Sequence, residues 1–129
     1  MRAADPAGTL ARLLAGMSGK QSGGINVGTI CRVLAFDKDT CKATVQPLIR
    51  SGQDDPAPIQ NVIALGQRLA VNGVEQSYKP VLYRDDVVFV VFADQEIKNG
   101  LTGRVSSPDS SRKHDKNDGV IIGIFPGSL

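Results

Sequence analysis

Short runs of apolar and β-branched residues, separated by turn-forming residues, predict a chain built mainly of β-strands. Residues 37–40 (DKDT) are typical of a tight turn, and Asn72-Gly73 is a strong signal for a second one. This pattern is typical of a small antiparallel barrel or sandwich. The predicted strands are residues 25–36, 41–49, 59–65, 86–92 and 119–125, with a minor hairpin formed by residues 68–71 and 74–77.

The last two predicted strands are apolar on both faces. Residues 87–92 read VVFVVF and residues 120–125 read VIIGIF. A small barrel hides only one face of each strand, and exposing a large apolar side chain forfeits roughly 1.5–3 kcal/mol of burial free energy. The other face is therefore expected to be covered by the chain's own helix and loop or by a neighbouring subunit. The candidate subunit-interface residues on these strands are Val88, Val90, Phe92, Ile121 and Phe125.

The N-terminal residues are predicted to form an arm separate from the barrel. Residues 5–17 have apolar side chains at helical spacing, and residues 18–24 (SGKQSGG) have the composition of a flexible linker. The chain is thus divided into an arm with its linker, residues 1–24, and a barrel domain, residues 25–129. The arm either docks on a neighbour or folds back on its own barrel, and both remain open. Its candidate interface residues are Leu10, Leu13, Leu14 and Met17.

A long polar segment, residues 94–118, precedes the last strand and ends in the sequence RKHDKND. Its length is typical of a functional loop or of one that is disordered until bound. Arg112 and His114 could pair with carboxylates across a subunit boundary, while Asp115 and Asp118 could cap backbone amides in the turn. A solvated basic loop is the alternative. A catalytic role is disfavoured because His114 is the only histidine and no nucleophile with an oriented base is evident.

Composition narrows the function classes. The net charge of +2 implies no strong attraction to nucleic acid or anionic lipid, and no run of about 18 apolar residues predicts a membrane span. Cys31 and Cys41 are placed on two strands of one hairpin, with Phe36 opposite Cys41 and Cys31 opposite Gln46, too far apart for a disulfide. We expect no signal peptide, no metal site, no cofactor and no enzymatic activity.

Four segments occur in a characteristic order: INVGTICRVL, VQPLIR, DDVVFVVFADQEI and SSRKHDKNDGVIIGI. Together they resemble the N-terminal OB-fold domain of phage baseplate central-spike proteins, the tail-tip puncturing family. Arg84 stands where that family has glycine, and Lys113 stands at a usual arginine. The matching positions are Val45, Pro47, Leu48, Asp85, Val87, Phe92, Arg112, His114, Asp115, Asp118 and Gly123.

The resemblance implies a small OB-like antiparallel β-barrel that forms a homotrimer on the tail axis and binds the tail hub or baseplate proteins. Family spikes usually continue into a β-helical needle, for which this sequence has no counterpart. The expected role is a structural platform or plug in a virion tail, assembled in the bacterial cytoplasm, with a separate spike-tip chain as a further partner. The alternative is an OB-fold protein that binds single-stranded nucleic acid, for which Tyr78 and Tyr83 are the best stacking candidates.

Overall fold

The structure is a computed structural model that describes residues 26–129. The predicted N-terminal helix, with Leu10, Leu13, Leu14 and Met17, lies outside the described residues. None of the helices within residues 26–129 has the length and apolar character needed to cross a membrane. Seven strands are present: β1 (Gly28–Asp37), β2 (Lys42–Pro47), β3 (Ile59–Ala64), β4 (Gln67–Val71), β5 (Val74–Tyr78), β6 (Val87–Phe92) and β7 (Gly119–Ile124). Three short 3-10 helices span Lys98–Thr102, Lys116–Asp118 and Pro126–Ser128.

Five of the strands form a closed barrel in the order β1-β2-β3-β7-β6. Neighbouring strands are antiparallel except β3 and β7, which are parallel, with Ile63 opposite Val120. The barrel closes where β6 pairs with β1, and Val88 stands opposite Cys31. The prediction of a mainly β chain with a small barrel is confirmed, and the closed five-stranded arrangement is consistent with an OB-like barrel.

Alternation along the strands places one face of each in the barrel interior. On β2 the inward face carries Ala43, Val45 and Pro47, which are all buried. The interior contains small and β-branched side chains, which suit a narrow barrel. The core residues are Cys31, Val33, Ala43, Val45, Ile59, Val62, Ala64, Leu82, Val88, Val90, Phe92 and Ile121.

The predicted assignment of faces on β6 and β7 is wrong. Four candidate interface residues lie inside the chain's own barrel, with no surface left for a neighbour: Val88, Val90, Phe92 and Ile121, at 0%, 0%, 5% and 2% exposure. The outward face of β6 carries the other three residues of the strand, each half-buried. Both faces are apolar, so alternation identified two sets of side chains without showing which set points inward.

The outward face of β6 is partly covered by the chain itself. The Phe125 ring packs edge-on against Phe89, with ring centroids 6.3 Å apart. Phe89 also lies against Gly28, where an added Cβ would come within 2.9 Å of the ring, so glycine allows this close approach. The segment after β7 is held to β6 by hydrogen bonds from the Phe125 N–H to the Val87 carbonyl and from the Val87 N–H to the Ser128 hydroxyl. Part of the cover predicted for this face therefore comes from the same chain.

The hairpin of β1 and β2 has a different register from the predicted one. Phe36 faces Ala43 and Cys31 faces Pro47, with a shift between Val33 and Ala35 that indicates a bulge. Cys41 belongs to the turn, where it adopts a positive φ of 56°, and so it does not pair within the ladder. The turn comprises residues 38–41, one residue later than the DKDT tetrad, so every predicted pair is displaced.

The two cysteines have different surroundings and are both free thiols. Burial in the barrel raises the pKa of Cys31 to about 11, and a weaker attraction from Lys116 opposes this shift. Cys41 is half-exposed at the hairpin turn.

A thiol-labelling experiment should distinguish the two cysteines. At pH 8 a thiol with a pKa of about 11 is ionised to on the order of one part in a thousand, and only the thiolate reacts. The native protein should therefore react rapidly with about one equivalent of a disulfide-exchange reagent such as DTNB, and with two after denaturation. The Cys41→Ser variant should lose the rapid reaction, whereas Cys31→Ser should keep it. Rapid labelling of native Cys41→Ser would contradict the buried position of Cys31.

Candidate functional site

The polar motif before β7 contains an ion pair between a buried carboxylate, Asp118, and a half-buried guanidinium, Arg112. The Asp118 side chain, on a residue that is only 1% exposed, accepts hydrogen bonds from Arg112 Nε at 2.8 Å and from Arg112 NH2 at 2.9 Å. This two-point geometry is the strongest form of an arginine–carboxylate contact. The carboxylate also accepts the Ile97 N–H at 3.3 Å. The pair therefore connects three points of the long segment between β6 and β7.

Glu96 also contacts Arg112 and links the ion pair to residues 109 and 110. Its side chain is 4% exposed and lies 3.4 Å from Arg112 NH1. The same carboxylate accepts the Asp109 N–H at 3.0 Å and the Ser110 hydroxyl at 2.8 Å. The segment is thus folded around Glu96, Arg112 and Asp118, which we call the polar clasp.

His114 fixes the other end of the motif. Its Nε2 lies 2.9 Å from the Asp94 carboxylate, and its backbone N–H donates to the Asp94 carbonyl at 3.2 Å. The His114 carbonyl accepts both the backbone N–H and the side-chain amide of Asn26, each at 3.1 Å. His114 has a positive φ of 46°, so its backbone conformation is uncommon and is held by these contacts. The motif consequently joins the start of β1 to the segment after β6.

Asp115 caps the turn before β7 with its side chain, whereas Asp118 takes part in that turn only through its backbone, because its carboxylate binds Arg112 and the Ile97 N–H. Asp115 accepts the Asn117 N–H at 2.8 Å, and its carbonyl accepts the Asp118 N–H at 3.0 Å. The Asp118 carbonyl in turn accepts the Ala93 N–H at 3.0 Å. These bonds close the short 3-10 turn that leads directly into β7. Contact of the motif with a neighbouring subunit remains a prediction.

The charges of the clasp reinforce one another. Hydrogen bonds from Arg112, and a weaker one from the Ile97 N–H, hold the pKa of Asp118 below its usual value against the opposing effect of burial. The same hydrogen bond to Asp118 raises the pKa of Arg112. Asp118 is therefore ionised at neutral pH, and its carboxylate oxygens are occupied by the chain's own donors. Such an arrangement holds the segment in place.

A second surface, which the sequence reasoning missed, is apolar and exposed. It consists of one face of the β4–β5 hairpin and a groove at the base of that hairpin. The hairpin itself was predicted, but its alternating apolar residues were not assigned a partner. Phe125, a candidate interface residue that does lie at the surface, is 39% exposed and packs against Phe89 on the outward face of β6 rather than lining this groove. The exposed apolar residues of the hairpin and groove rim are Leu65, Leu69, Val71, Val74, Tyr78, Val81, Ile122 and Leu129.

Comparisons with known proteins assign no family to this chain, because neither a protein-family model nor a curated protein matches its sequence. Within residues 26–129, no group of three or more histidine, cysteine, aspartate or glutamate side chains is placed to hold a metal ion. The polar clasp and the apolar surface are thus the two features from which a function can be proposed.

Proposed function

We propose that this protein is a structural component of a phage or phage-like tail tip or baseplate. In this proposal it is an OB-like barrel that forms a homotrimer, binds the tail hub or baseplate proteins, and serves as a spike platform or plug without catalysing a reaction. It would be assembled in the bacterial cytoplasm and reside in the virion tail, with a separate spike-tip chain as a further partner.

The arrangement of the barrel strands supports the OB-like part of the proposal. When the β4–β5 hairpin is treated as an insertion, the remaining five strands run 1-2-3-5-4 around a closed barrel. A five-stranded Greek-key barrel with this order is the architecture of OB-folds. The β4–β5 hairpin then occupies the connection between the third and fourth barrel strands.

The observation that carries the proposal is the placement of the resemblance motifs in this barrel. Val45 and Pro47 lie on β2, and Asp85 immediately precedes β6. The most specific motif, from Arg112 to Asp118, forms the ordered connection into the closing strand. Residues that are far apart in the sequence therefore support one barrel, as expected if the motifs are those of a single structural domain.

The nucleic-acid alternative is favoured by one observation, the exposure of Tyr78 and Tyr83. OB-folds bind oligonucleotides mainly on the face formed by strands 2 and 3. That face here carries Thr44, Gln46 and Gln60, with no aromatic side chain for a base to stack on. The two tyrosines lie on the hairpin and the loop before β6, away from this face.

Three measurements together test the proposed function. Peptides of this chain should be found in tail particles purified from the strain that encodes it, and light scattering should give about 41 kDa, three times the chain mass of 13.7 kDa. Binding to a single-stranded oligonucleotide should be undetectable at physiological salt. Absence from purified tails, or a single-copy protein that binds the oligonucleotide, would overturn the proposal.

A further inference from the structure

The β4–β5 hairpin projects from the barrel with every one of its ten strand residues exposed. Its register pairs Leu69 with Gln76 and Val71 with Val74, and Tyr78 lies on the same side. One face is therefore apolar, whereas the opposite face carries the pairs Arg68–Ser77 and Ala70–Glu75. A two-stranded hairpin is at best marginally stable alone in water, so an uncovered apolar face predicts a partner.

A groove of about 270 Å³ lies at the base of this hairpin, between the chain after β5 and the outer side of β7. Its rim carries four exposed apolar residues, Leu65, Val81, Ile122 and Leu129, which are 56%, 47%, 54% and 86% exposed, beside the polar residues Gln67 and Lys79. The volume is below the roughly 300–1,000 Å³ typical of small-molecule pockets. The groove is better suited to receive a few apolar side chains of another protein surface.

The hairpin and the groove form one continuous surface. Gln67 and Tyr78, at the hairpin base, also line the groove. The hairpin base is packed closely against the exit of β3, since a Cβ on Gly66 would lie 2.9 Å from the Tyr78 carbonyl oxygen. Eight exposed apolar side chains amount to on the order of several hundred Å², the size of the largest apolar patch on a typical monomer, which is often functional.

We infer that this surface binds a second copy of the same chain, with the hairpin of one copy seated in the groove of the next. This inference rests on the oligomer of the proposed function and identifies the surface that forms it. The hairpin and the groove are different surfaces, so the contact is heterologous and closes into a ring when the rotation between copies permits. Each copy supplies one hairpin and one groove, so every apolar hairpin face is covered in a closed ring.

The chain's own residues 1–25 are a less suitable occupant. Their apolar pattern offers four side chains, Leu10, Leu13, Leu14 and Met17, which could cover either the hairpin face or the groove rim, with four exposed apolar residues each, but not both. A ring of copies covers both, because each copy inserts one hairpin and receives another. The polar hairpin face, with Arg68 and Glu75, then remains toward water.

Substitution on the two faces of the hairpin provides a matched test in the full-length protein. Leu69→Asp places a charge on the apolar face, and Ser77→Asp places the same charge on the polar face, opposite Arg68. We expect Leu69→Asp to weaken self-association at least tenfold by light scattering over a concentration series, and Ser77→Asp to leave it nearly unchanged. Circular dichroism should show both variants folded, since both residues lie outside the barrel core.

Mixing two defective variants tests the ridge-in-groove geometry. Ile122→Asp should also be monomeric, because it introduces a charge at the groove. An equimolar mixture of Leu69→Asp and Ile122→Asp still contains one intact hairpin and one intact groove, so it should form a dimer that neither variant forms alone. A twofold contact between identical patches would give no such dimer, and that result would overturn the inference.

Three other outcomes separate this inference from the proposed function. If Leu69→Asp and wild-type protein associate equally, the surface is wrong and the oligomeric platform stands. If deletion of residues 1–20 abolishes association while Leu69→Asp does not, the N-terminal segment is the contact and the inference is overturned. A wild-type protein that is monomeric yet present in purified tails would overturn both this inference and the proposed homotrimer, leaving the location in the tail.

Discussion

Replacing Val90 with aspartate is expected to leave the chain unfolded at 25 °C. Val90 is 0% exposed on β6 and belongs to the barrel core. A buried carboxylate without a partner costs at least ~4 kcal/mol, which approaches the total stability of a small domain. Circular dichroism and urea titration should show loss of the cooperative transition.

The neighbouring residue provides the control. Val91 has the same side chain on the next position of β6, but it is half-buried on the outward face. Val91→Asp should fold, with a smaller loss of stability, because its carboxylate can reach water. A folded Val90→Asp protein that lost only its assembly would mean that Val90 points outward, against the orientation in the structure.

Replacing Arg112 with alanine should produce the second largest effect. The Asp118 carboxylate would remain buried with only the Ile97 N–H to stabilise it. Leaving that carboxylate buried and unpaired costs about 3 kcal/mol. Urea unfolding at pH 7 should show a lower midpoint, and hydrogen exchange should rise across the segment from β6 to β7 that the clasp organises.

An exposed arginine–aspartate pair provides the matched control for the clasp. Arg50 NH2 lies 2.6 Å from Asp55, but the two side chains are 61% and 72% exposed. Exposed pairs contribute about 1 kcal/mol or less, so Arg50→Ala should leave the unfolding midpoint nearly unchanged. Equal losses in the two variants would show that the Arg112–Asp118 pair is no more important than a surface contact.

The clasp also gives the stability a pH dependence of known sign. The folded-state pKa of Asp118 is lowered by Arg112, so its stabilisation is present above the unfolded pKa of about 3.9 and is lost as pH falls through the lower folded value. In Arg112→Ala, protonation of Asp118 removes an unpaired buried charge, so the variant loses less stability relative to wild type at low pH. The stability difference between wild type and variant should therefore shrink between pH 5 and pH 3. A difference that stayed constant would contradict the proposed ionisation of Asp118.

The strands were predictable because each is a short apolar run bounded by turn residues. The β4–β5 hairpin is the clearest case, since Asn72-Gly73 determines its turn and the observed strands differ from the predicted ones by a single residue at each outer end. The register of β1 against β2 was not predictable from the DKDT tetrad. The four-residue turn lies one residue later than the tetrad, with Cys41 at positive φ as its last residue, and a bulge between Val33 and Ala35 shifts the register again.

The prediction that Val88 and Val90 face outward on β6 was the main error, and it has a physical cause. Val88 and Val87 have the same side chain, so hydrophobicity gives no preference between the two faces. The pairing of β6 with β1 and β7 determines which face points inward, and it places Val88 opposite Cys31 inside the barrel. Sequence alternation carries no information about this long-range pairing.

The polar motif was recognised, but its main contact was not. Arg112, His114, Asp115 and Asp118 were all selected, and each has a defined hydrogen-bond role. The partner Glu96 was missed because it lies 16 residues before Arg112 in a segment without regular spacing. Only the folded course of the segment brings them together.

Closure of the barrel by the last strand has a consequence for synthesis. The parallel pairing of β3 with β7 joins Ile63 to Val120, 57 positions later in the chain. A nascent polypeptide that has left the ribosome only as far as Phe92 offers two open hydrogen-bonding edges, on β3 and β6, beside a half-formed interior. Fragments released before Gly119 should therefore associate with one another, and folding of the barrel should await translation of β7.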